Sequence, residues 1–413
     1  MFVFLAQLPT QLVEFRRLRK ILNDRGVAHK LLVESAALLS EPGSEMLPTL
    51  APEAADGVGT VTLNKEVHGV TAVVTAARAA RRSARQYLRS IAATALVVGE
   101  DGVGGNLPWI AEARRIGLPV YILPYEFSGR RQAEVVIGSA PEDYVASGRV
   151  ARLFSLVKPQ WSGIVGGRRV FRLPLRFALG YEIAGVAPPN PWAVHGGRAS
   201  RLLAESPRMA AHYASDGIGR PKVVVVGSLA LDDVHTSMAM KPRSQKMCIV
   251  CALPPDYTDT YGPRPYAEAM ASWVDQVRRL GDVVIQAHPA ARAKLEGLGF
   301  AIDQTDIATL IGKCDVLVTS VSSIIRLALA AGKPVVNYDL YRFGYDDYAD
   351  AKGVITTSDQ ADFNRAINDL AKSDELSELQ RRAESDRARW GAVDGLAHTR
   401  IMSALGLASG ETR

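Results

Sequence analysis

Three short motifs contain residues that could carry out chemistry, and each stands at the end of a short apolar segment typical of a buried β-strand. The motifs are Glu100-Asp101-Gly102, His288-Pro289 and Thr319-Ser320-Val321-Ser322-Ser323, at the ends of strands expected at 95–99, 283–286 and 316–319. Open parallel sheets bind their ligands at the carboxyl ends of the strands. We therefore take these three motifs as candidate site residues.

The acidic motif could supply a general base. A carboxylate at Glu100 or Asp101 could accept a proton from a reacting hydroxyl, and the glycine-rich run up to Gly105 would let a substrate approach the backbone closely. An acidic turn that caps a helix is the competing interpretation, and this motif alone favours it.

The other two motifs could bind phosphate. His288 could bind a phosphate group or donate a proton to a leaving group, or it could simply cap the helix that begins at Pro289. Hydroxyls and N–H groups from Ser320 to Ser323, ahead of a helix expected at 323–331, are typical of a phosphate site at a helix N-terminus. Capping by one serine is the alternative, but it leaves the adjacent pair Ser322-Ser323 unexplained.

Two common nucleotide-binding motifs are absent. Ala331-Gly332-Lys333 lacks the glycine that a GxxxxGK phosphate loop requires five residues earlier, and the run from Asp101 to Gly105 is not GxGxxG. A phosphate-loop ATPase and an NAD enzyme are therefore disfavoured.

Short β-branched runs alternate with helical patterns along the chain, which predicts α/β structure with parallel sheets. One of the expected strands is 59–63. We predict an N-terminal domain at residues 1–235, a linker at 236–245 within a loose stretch that starts at Asp232, a second domain at 246–390, and a C-terminal helix at 391–413 that packs back on the first domain. A long helical pattern runs from Glu375 to about Ala404.

The charge of the chain is unevenly distributed. Its 413 residues carry a net charge of +6, yet between Tyr144 and Leu202 nine basic residues accompany one acid, Glu182. Such a stretch is expected to meet a phosphate, an acidic glycan or the surface of a bilayer. Nucleic acid is disfavoured because no reader motif is present. Arg168 and Arg169 within the stretch are candidate substrate-binding residues.

Composition predicts a globular cytoplasmic protein. The chain is 47% hydrophobic and 22% charged, and no apolar run approaches the roughly 18 residues of a membrane helix. Three cysteines cannot form a disulfide framework. Cys248 and Cys251 have CxxC spacing, but they lie on a predicted strand, where positions three apart point to opposite faces. We therefore expect buried thiols and no metal site.

Together the motifs resemble those of the GT-B superfamily of sugar-nucleotide enzymes. Residues 218–232 resemble the segment that closes the first GT-B domain, and Gln286-Ala287-His288-Pro289 resembles the His-Pro motif of the second. Residues 315–335 are similar to the phosphate-binding strand and helix of capsule and teichoic-acid (CDP-glycerol-type) transferases. The set of Glu100-Asp101-Gly102, His288-Pro289 and Ser322-Ser323 also resembles the acidic-Gly, His-Pro and Ser-Ser triplet of bacterial sialyltransferases.

This resemblance implies two Rossmann-like domains that face each other across a cleft, with the acceptor on the N-terminal side and the nucleotide-sugar on the C-terminal side. It implies that Asp101 is the base, that His288 binds phosphate, and that Ser322 and Ser323 anchor phosphate. The expected activity is sugar transfer, with a CMP- or CDP-linked donor as one candidate, to a glycan or lipid-linked acceptor in surface polysaccharide synthesis. No metal or cofactor other than the donor is expected, and the basic stretch is a candidate for contact with the inner face of the membrane.

A second resemblance, to the hydrolysing UDP-N-acetylglucosamine 2-epimerases, stays open. Those enzymes share the domain closure and the His-Pro motif, and Glu126 stands at about the place of a further glutamate of theirs. Their phosphate helix carries Gly-Gly and then a ribose-binding glutamate, where this chain has Ser322-Ser323 and Arg326. The departure favours a transferase. A sugar-nucleotide-binding protein without catalysis is the third alternative, since function belongs to the site and not to the fold.

Overall fold

The computed structural model describes residues 1–48, 69–125, 130–139, 141–240, 246–257 and 265–407. The chain divides into two compact units, and each contains a parallel sheet flanked by helices. The first unit comprises Met1–Ala204, Met209–Val226 and the chain from Ile401 on, and the second comprises Glu205–Arg208 and Gly227–Arg400. The strand expected at 59–63 lies outside the described residues.

The first unit contains strands β1 to β9 and helices α1 to α7. The strands are β1 (Phe2–Ala6), β2 (His29–Val33), β3 (Ser44–Met46), β4 (Ala95–Val98), β5 (Val120–Ile122), β6 (Ser162–Val165), β7 (Arg168–Phe171), β8 (Arg201–Ala204) and β9 (Val223–Val225). The helices are α1 (Pro9–Asp24), α2 (Val70–Ser90), α3 (Leu107–Arg115), α4 (Arg130–Ser139), α5 (Gly148–Val157), α6 (Leu175–Ala184) and α7 (Pro207–Ser215).

Seven of these strands form one sheet in the order β3-β2-β1-β4-β5-β8-β9. The registered pairs are all parallel, so the carboxyl ends of the strands share one edge. The central strands β1 and β4 are buried along their whole length, as expected of apolar strands covered on both faces by helices. Strands β6 and β7 form a separate antiparallel hairpin.

The second unit contains strands β10 to β14 and helices α8 to α15. The strands are β10 (Cys248–Leu253), β11 (Asp282–Ala287), β12 (Val316–Thr319), β13 (Val335–Tyr338) and β14 (Val354–Thr357). The helices are α8 (Leu229–Ala239), α9 (Tyr266–Val277), α10 (Arg292–Gly297), α11 (Ile307–Lys313), α12 (Ile325–Ala330), α13 (Gln360–Leu370), α14 (Ser373–Trp390) and α15 (Ala397–Ala404). The sheet order is β11-β10-β12-β13-β14, and every pair is parallel.

The core of the second unit is rich in aromatic rings. Trp273 of α9 meets Tyr338 of β13 edge-on at 5.3 Å, and Phe363 of α13 stacks on Tyr338 at 4.6 Å. All three side chains are buried. Aromatic pairs add to the stability that burial alone provides, and here they fix α9 and α13 against the sheet.

The structure confirms the predicted α/β fold with parallel sheets, and it differs from the sequence prediction at two local points. The stretch from Asp232 was expected to be irregular and to contain a linker at residues 236–245. Helix α8 instead continues to Ala239. Residues 241–245 lie outside the described residues. Ser228 caps this helix, and Val234 and Ser237 are buried on one face of it. The long helical pattern from residue 375 is interrupted at Gly391, whose φ of +137° ends α14.

No helix in the described part of the chain combines the length and the apolar character needed to span a bilayer.

Candidate functional site

Asp101 lies just beyond β4 and is held by three donors. Its Oδ1 accepts from the Gly197 N–H at 3.1 Å, and its Oδ2 accepts from the Ala199 N–H at 2.6 Å and from Lys222 Nζ at 2.7 Å. The Asp101 side chain is completely buried, and Lys222 also donates to backbone oxygens of the 195–197 segment. The carboxylate therefore ties three distant segments of the first unit together.

Burial is the largest influence on the pKa values of Asp101 and of the neighbouring His195. It raises the pKa of Asp101 above its ordinary value, against the opposing effect of Lys222 and the two N–H donors. His195 is buried beside them, and burial, with Lys222 adding to it, lowers the pKa of that imidazole to about 3. Both carboxylate oxygens of Asp101 accept hydrogen bonds and its side chain has no exposed surface, so this geometry favours a structural role; that Asp101 is the base stays a prediction.

The glycines of the acidic motif face the protein's own backbone. A Cβ atom on Gly102 would lie 2.4 Å from the Val194 oxygen, and one on Gly105 would lie 2.6 Å from the Glu100 oxygen. The protein's own packing therefore accounts for glycine at these two positions, and the close approach of a substrate to the run stays a prediction. The space that a side chain would need at these positions is occupied by the backbone of Glu100 and of Val194, and the segment that follows Val194 supplies the N–H donors to Asp101.

Glu100 is the more available carboxyl group of the motif. Its side chain packs over Gly104, and its Oε2 accepts from the Tyr125 hydroxyl at 3.3 Å. Glu100 is 9% exposed, whereas Asp101 is fully buried. Tyr125 follows β5, so the contact joins the carboxyl ends of two neighbouring strands.

A second carboxyl group at this edge was missed by sequence reasoning. Glu34 follows β2 and accepts from the side-chain amides of Asn106 and Gln7, and Gln7 also donates to the Gly104 oxygen at 2.9 Å. Burial raises the pKa of Glu34 to about 8. The signal available in the sequence was the strand-end position of Glu34, which matches that of Glu100.

Two partly buried arginines of the basic stretch, Arg172 and Arg176, lie near Tyr144, and Arg172 also lies near Glu100. The Nε atoms of Arg172 and Arg176 are buried and have no hydrogen-bond partner among the described residues. Burial lowers the pKa of Arg172, while the nearby Glu100 carboxylate raises it. Burial likewise raises the pKa of Tyr144, which lies near both arginines. Two guanidinium groups with unused donors can bind an anionic group.

Arg168 and Arg169, the candidate substrate-binding residues, lie on the separate hairpin of the first unit. Both are exposed on β7 of the hairpin, and Arg168 forms an ion pair with Glu142 at 2.9 Å. Glu126, the other candidate for substrate binding, lies outside the described residues.

In the second unit, His288 follows β11 and caps the turn that comes after it, which is one of the two roles that the sequence left open. Its Nδ1 accepts from the Ala290 N–H at 3.2 Å, as a cap of the short turn at Pro289. A ring nitrogen that accepts cannot carry the proton, so the neutral imidazole carries it on Nε2. Partial burial lowers the pKa of His288, while its ring stays accessible to solvent. His288 can therefore donate one hydrogen bond to a ligand from Nε2.

Ser320 presents an unused hydroxyl at the end of β12. The residue is 5% exposed, and its Oγ has no hydrogen-bond partner in the described part of the chain. The next residue, Val321, has a φ of +35°, a strained conformation for a β-branched residue. Asn337 of β13 holds this turn, since its Oδ1 accepts from the Val321 N–H at 2.7 Å. Strain of this kind persists where the surrounding structure enforces it and is frequent at ligand sites.

Ser322 and Ser323 lie in the loop before α12, not in the helix. The helix begins at Ile325, two residues later than expected, and has six residues. The Ser322 Oγ accepts weakly from the Ile324 N–H at 3.4 Å. The backbone carbonyl oxygen of Ser323 accepts from Arg326 Nη1 at 2.6 Å. Arg326 also forms a buried ion pair with Glu205 at 2.9 Å. The loop is thus fixed by its backbone, and the Ser323 hydroxyl is not used in doing so.

Strands β11 and β12 flank β10, which places the ends that carry His288 and Ser320 two strand spacings apart, about 10 Å. Both groups therefore lie at one edge of one sheet. Among the described residues, no group of three or more His, Cys, Asp or Glu side chains is placed to hold a metal ion.

Several solved structures resemble the whole chain. UDP-GlcNAc 2-epimerase from Neisseria meningitidis bound to UDP-GlcNAc is 12% identical, with 98% of this chain and 99% of that chain covered and a TM-score of 0.52. The wall teichoic acid polymerase TagF, soaked with CDPG, is 12% identical, with 98% and 88% covered and a TM-score of 0.55. The calicheamicin glycosyltransferase CalG4 is 15% identical, with 99% of each chain covered and a TM-score of 0.54.

No protein-family model and no curated protein sequence matches the chain. The structural likeness is therefore one of fold, and the fold is the one that the motif resemblance predicted. The chain has the GT-B fold, with two Rossmann-like units.

Proposed function

We propose that this protein is a glycosyltransferase that moves a sugar from a nucleotide-activated donor to an acceptor hydroxyl. In the proposed step the acceptor oxygen attacks the anomeric carbon, and the hydroxyl proton passes to a carboxylate. The bond from that carbon to the phosphate oxygen breaks, and its electron pair leaves with the nucleotide. The observation that carries the proposal is the pair of unused donors, His288 Nε2 and the Ser320 hydroxyl, at one edge of the second sheet.

These two donors suit the phosphate of a leaving nucleotide. Fixed donors in a partly buried site stabilise negative charge that develops during bond cleavage. Ser320 is rigidly placed because Asn337 holds the adjacent turn, and His288 is oriented by its own cap. We propose that Ser322 and Ser323 add contacts from the loop, and that this charge stabilisation proceeds without a resident metal.

We propose Glu100, in place of Asp101, as the base. Glu100 lies at the edge of the first sheet, where its Oε2 accepts from the Tyr125 hydroxyl, and it keeps a small exposed surface that Asp101 lacks. Arg172 and Arg176, nearby, would hold an anionic group of the acceptor through their unused Nε donors. An acidic glycan or a phosphate-linked lipid carries such a group.

A specific observation disfavours the epimerase-type ribose contact. Arg326 stands where the second resemblance requires a ribose-binding glutamate, and it is buried and paired with Glu205. A side chain in that pair is not available to a ribose. UDP-GlcNAc is nevertheless bound by a solved structure of this fold, and CDPG was soaked into another, so the base of the nucleotide must be tested directly.

The test of the donor site is thermal unfolding with CMP, CDP, UDP and GDP, each at millimolar concentration. A nucleotide at about a hundred times its Kd adds roughly 2.7 kcal/mol of stability. We expect one nucleotide to raise the unfolding temperature of the wild type, and His288→Ala to abolish that shift. His235→Ala is the matched control, because His235 is also exposed in the second unit. No shift with any nucleotide would refute the donor site.

The test of catalysis uses nucleotide-sugars that carry the nucleotide identified by thermal unfolding. Nucleotide release is measured for the wild type and for Glu100→Gln, which removes the proton acceptor and keeps the shape of the side chain. We expect Glu100→Gln to lower turnover by about 100-fold or more while the nucleotide-induced shift stays unchanged. A released 2-epimer of the sugar would establish the epimerase instead. Binding without turnover of any nucleotide-sugar would establish a non-catalytic binding protein.

A further inference from the structure

Helix α5 has an apolar face on each side. Ala151 and Phe154 are buried in the core of the first unit. On the opposite side, four large aliphatic side chains are between 63% and 78% exposed: Val150, Leu153, Leu156 and Val157. Their spacing of three and four residues places them on one outward stripe. A stripe of this kind is unusual on a surface that meets only water.

The neighbouring hairpin carries one more exposed aliphatic residue and packs against the same helix. Ile164, 56% exposed, is the cross-strand partner of Arg169. Paired and alternate residues of a hairpin share a face, so Ile164 and Arg169 lie on the face that carries Phe171. Phe171 packs against Phe154 of α5 at 5.6 Å between ring centroids. We call the exposed aliphatic residues of α5 together with Ile164 the apolar surface.

Basic residues border the apolar surface. Arg149 and Arg152 are exposed on α5, and Arg169 is exposed beside Ile164. None of these three forms an ion pair with the described residues, whereas Lys158 pairs with Glu182 at 2.8 Å. Three cations without ion-pair partners among the described residues therefore lie on the helix and the hairpin that carry the exposed aliphatic side chains.

We propose that the apolar surface docks on a bilayer that contains anionic lipid. Aliphatic side chains would enter the boundary between headgroups and acyl chains, while Arg149, Arg152 and Arg169 meet lipid phosphates. A second copy of the chain fits less well. In a two-fold symmetric contact the same patch meets itself, and the three unpaired arginines would face like charges. This inference depends on the surface alone and not on the proposed transferase activity.

The experiment is sedimentation of the full chain with vesicles of phosphatidylcholine, and with vesicles of an equal mixture of phosphatidylcholine and phosphatidylglycerol. We expect binding to the mixed vesicles that weakens as salt rises, because salt screens exposed charges. Leu156→Glu should lower the affinity at least tenfold, and Arg149→Gln with Arg152→Gln should lower it by roughly 10- to 30-fold. Leu396→Glu is the matched control, since Leu396 is 52% exposed in the second unit, and it should bind as the wild type does.

Three results would overturn the proposal. The first is equal binding of wild type and Leu156→Glu, provided that thermal unfolding shows both to be folded. The second is the absence of binding to the mixed vesicles at low salt. The third is a concentration-dependent dimer in sedimentation velocity that Leu156→Glu abolishes, which would assign the apolar surface to a second copy of the chain.

Discussion

Replacing Asp101 by asparagine should destabilise the first unit strongly. The carboxylate has no exposed surface, and its partner Lys222 is 16% exposed, so water cannot substitute for the lost charge. Asparagine keeps the volume, but its amide group would point a donor at one of the present donors, Ala199 N–H or Lys222 Nζ. Removing one member of a buried pair costs about 3–5 kcal/mol.

The measurement is thermal and urea unfolding of wild type and Asp101→Asn. For a unit of this size, 1 kcal/mol shifts Tm by about 2–4 °C, so a drop of roughly 6–20 °C is expected. The matched control is Asp275→Asn. Asp275 is 73% exposed, and its ion pair with Arg278 at 3.2 Å should contribute at most about 1 kcal/mol.

Unfolding of Asp101→Asn within about 1 kcal/mol of the wild type would refute this reasoning. If such a variant also lost nucleotide release while Glu100→Gln kept it, Asp101 would be the base after all. The two carboxyl groups are adjacent in sequence, so the pair of variants separates a structural role from a catalytic one at the same strand end.

Three further predictions follow from burial. In the folded protein Glu34 keeps its proton up to a pH of about 8, whereas in the unfolded chain it releases that proton above a pH of about 4.5. The free energy of unfolding should therefore fall as pH rises through this window, by up to about 1.4 kcal/mol per pH unit. Urea unfolding of Glu34→Gln over the same pH range should lack this slope, and equal slopes for variant and wild type would contradict the prediction. Arg326→Met should cost about 3–5 kcal/mol in urea unfolding by removing the buried guanidinium that pairs with the Glu205 carboxylate, and a loss under 1 kcal/mol would show the pair to be dispensable. Gly197→Ala should destabilise by about 1–3 kcal/mol, because its Cβ would lie 1.7 Å from a backbone oxygen, whereas Gly297→Ala, with open space around it, should be neutral or stabilising in the same thermal assay.

The central strands could be predicted from sequence because both faces of a parallel strand are apolar. The segments 316–319 and 335–338 were placed at the residues where β12 and β13 are found. The segment from 130 to 184 was less readable, and α4, α5, α6 and the hairpin were not predicted. In α5 the reason is visible: Phe154 faces the core while Leu156 faces outward, so no single apolar stripe marks its orientation.

The candidate site was predictable in position and not in detail. Strand ends placed Glu100, His288 and Ser320 at the edges of sheets, since that rule needs only local pattern. The role of Asp101 depends on Lys222, which lies 121 residues away. A contact of that separation leaves no local signal. The same holds for Arg326 and Glu205, whose ion pair holds the guanidinium that donates to the Ser323 carbonyl oxygen.

The division of the chain into units bears on how the protein folds as it is synthesised. The first unit includes the chain from Ile401 on, although the second unit occupies Gly227–Arg400. Ile401 and Met402 are buried, so the first unit lacks part of its own structure until the whole second unit has left the ribosome. Domains usually fold from the N-terminus as they emerge. Here the N-terminal half must wait in an incomplete state, and closing it requires a contact across some two hundred residues, the kind that slows folding.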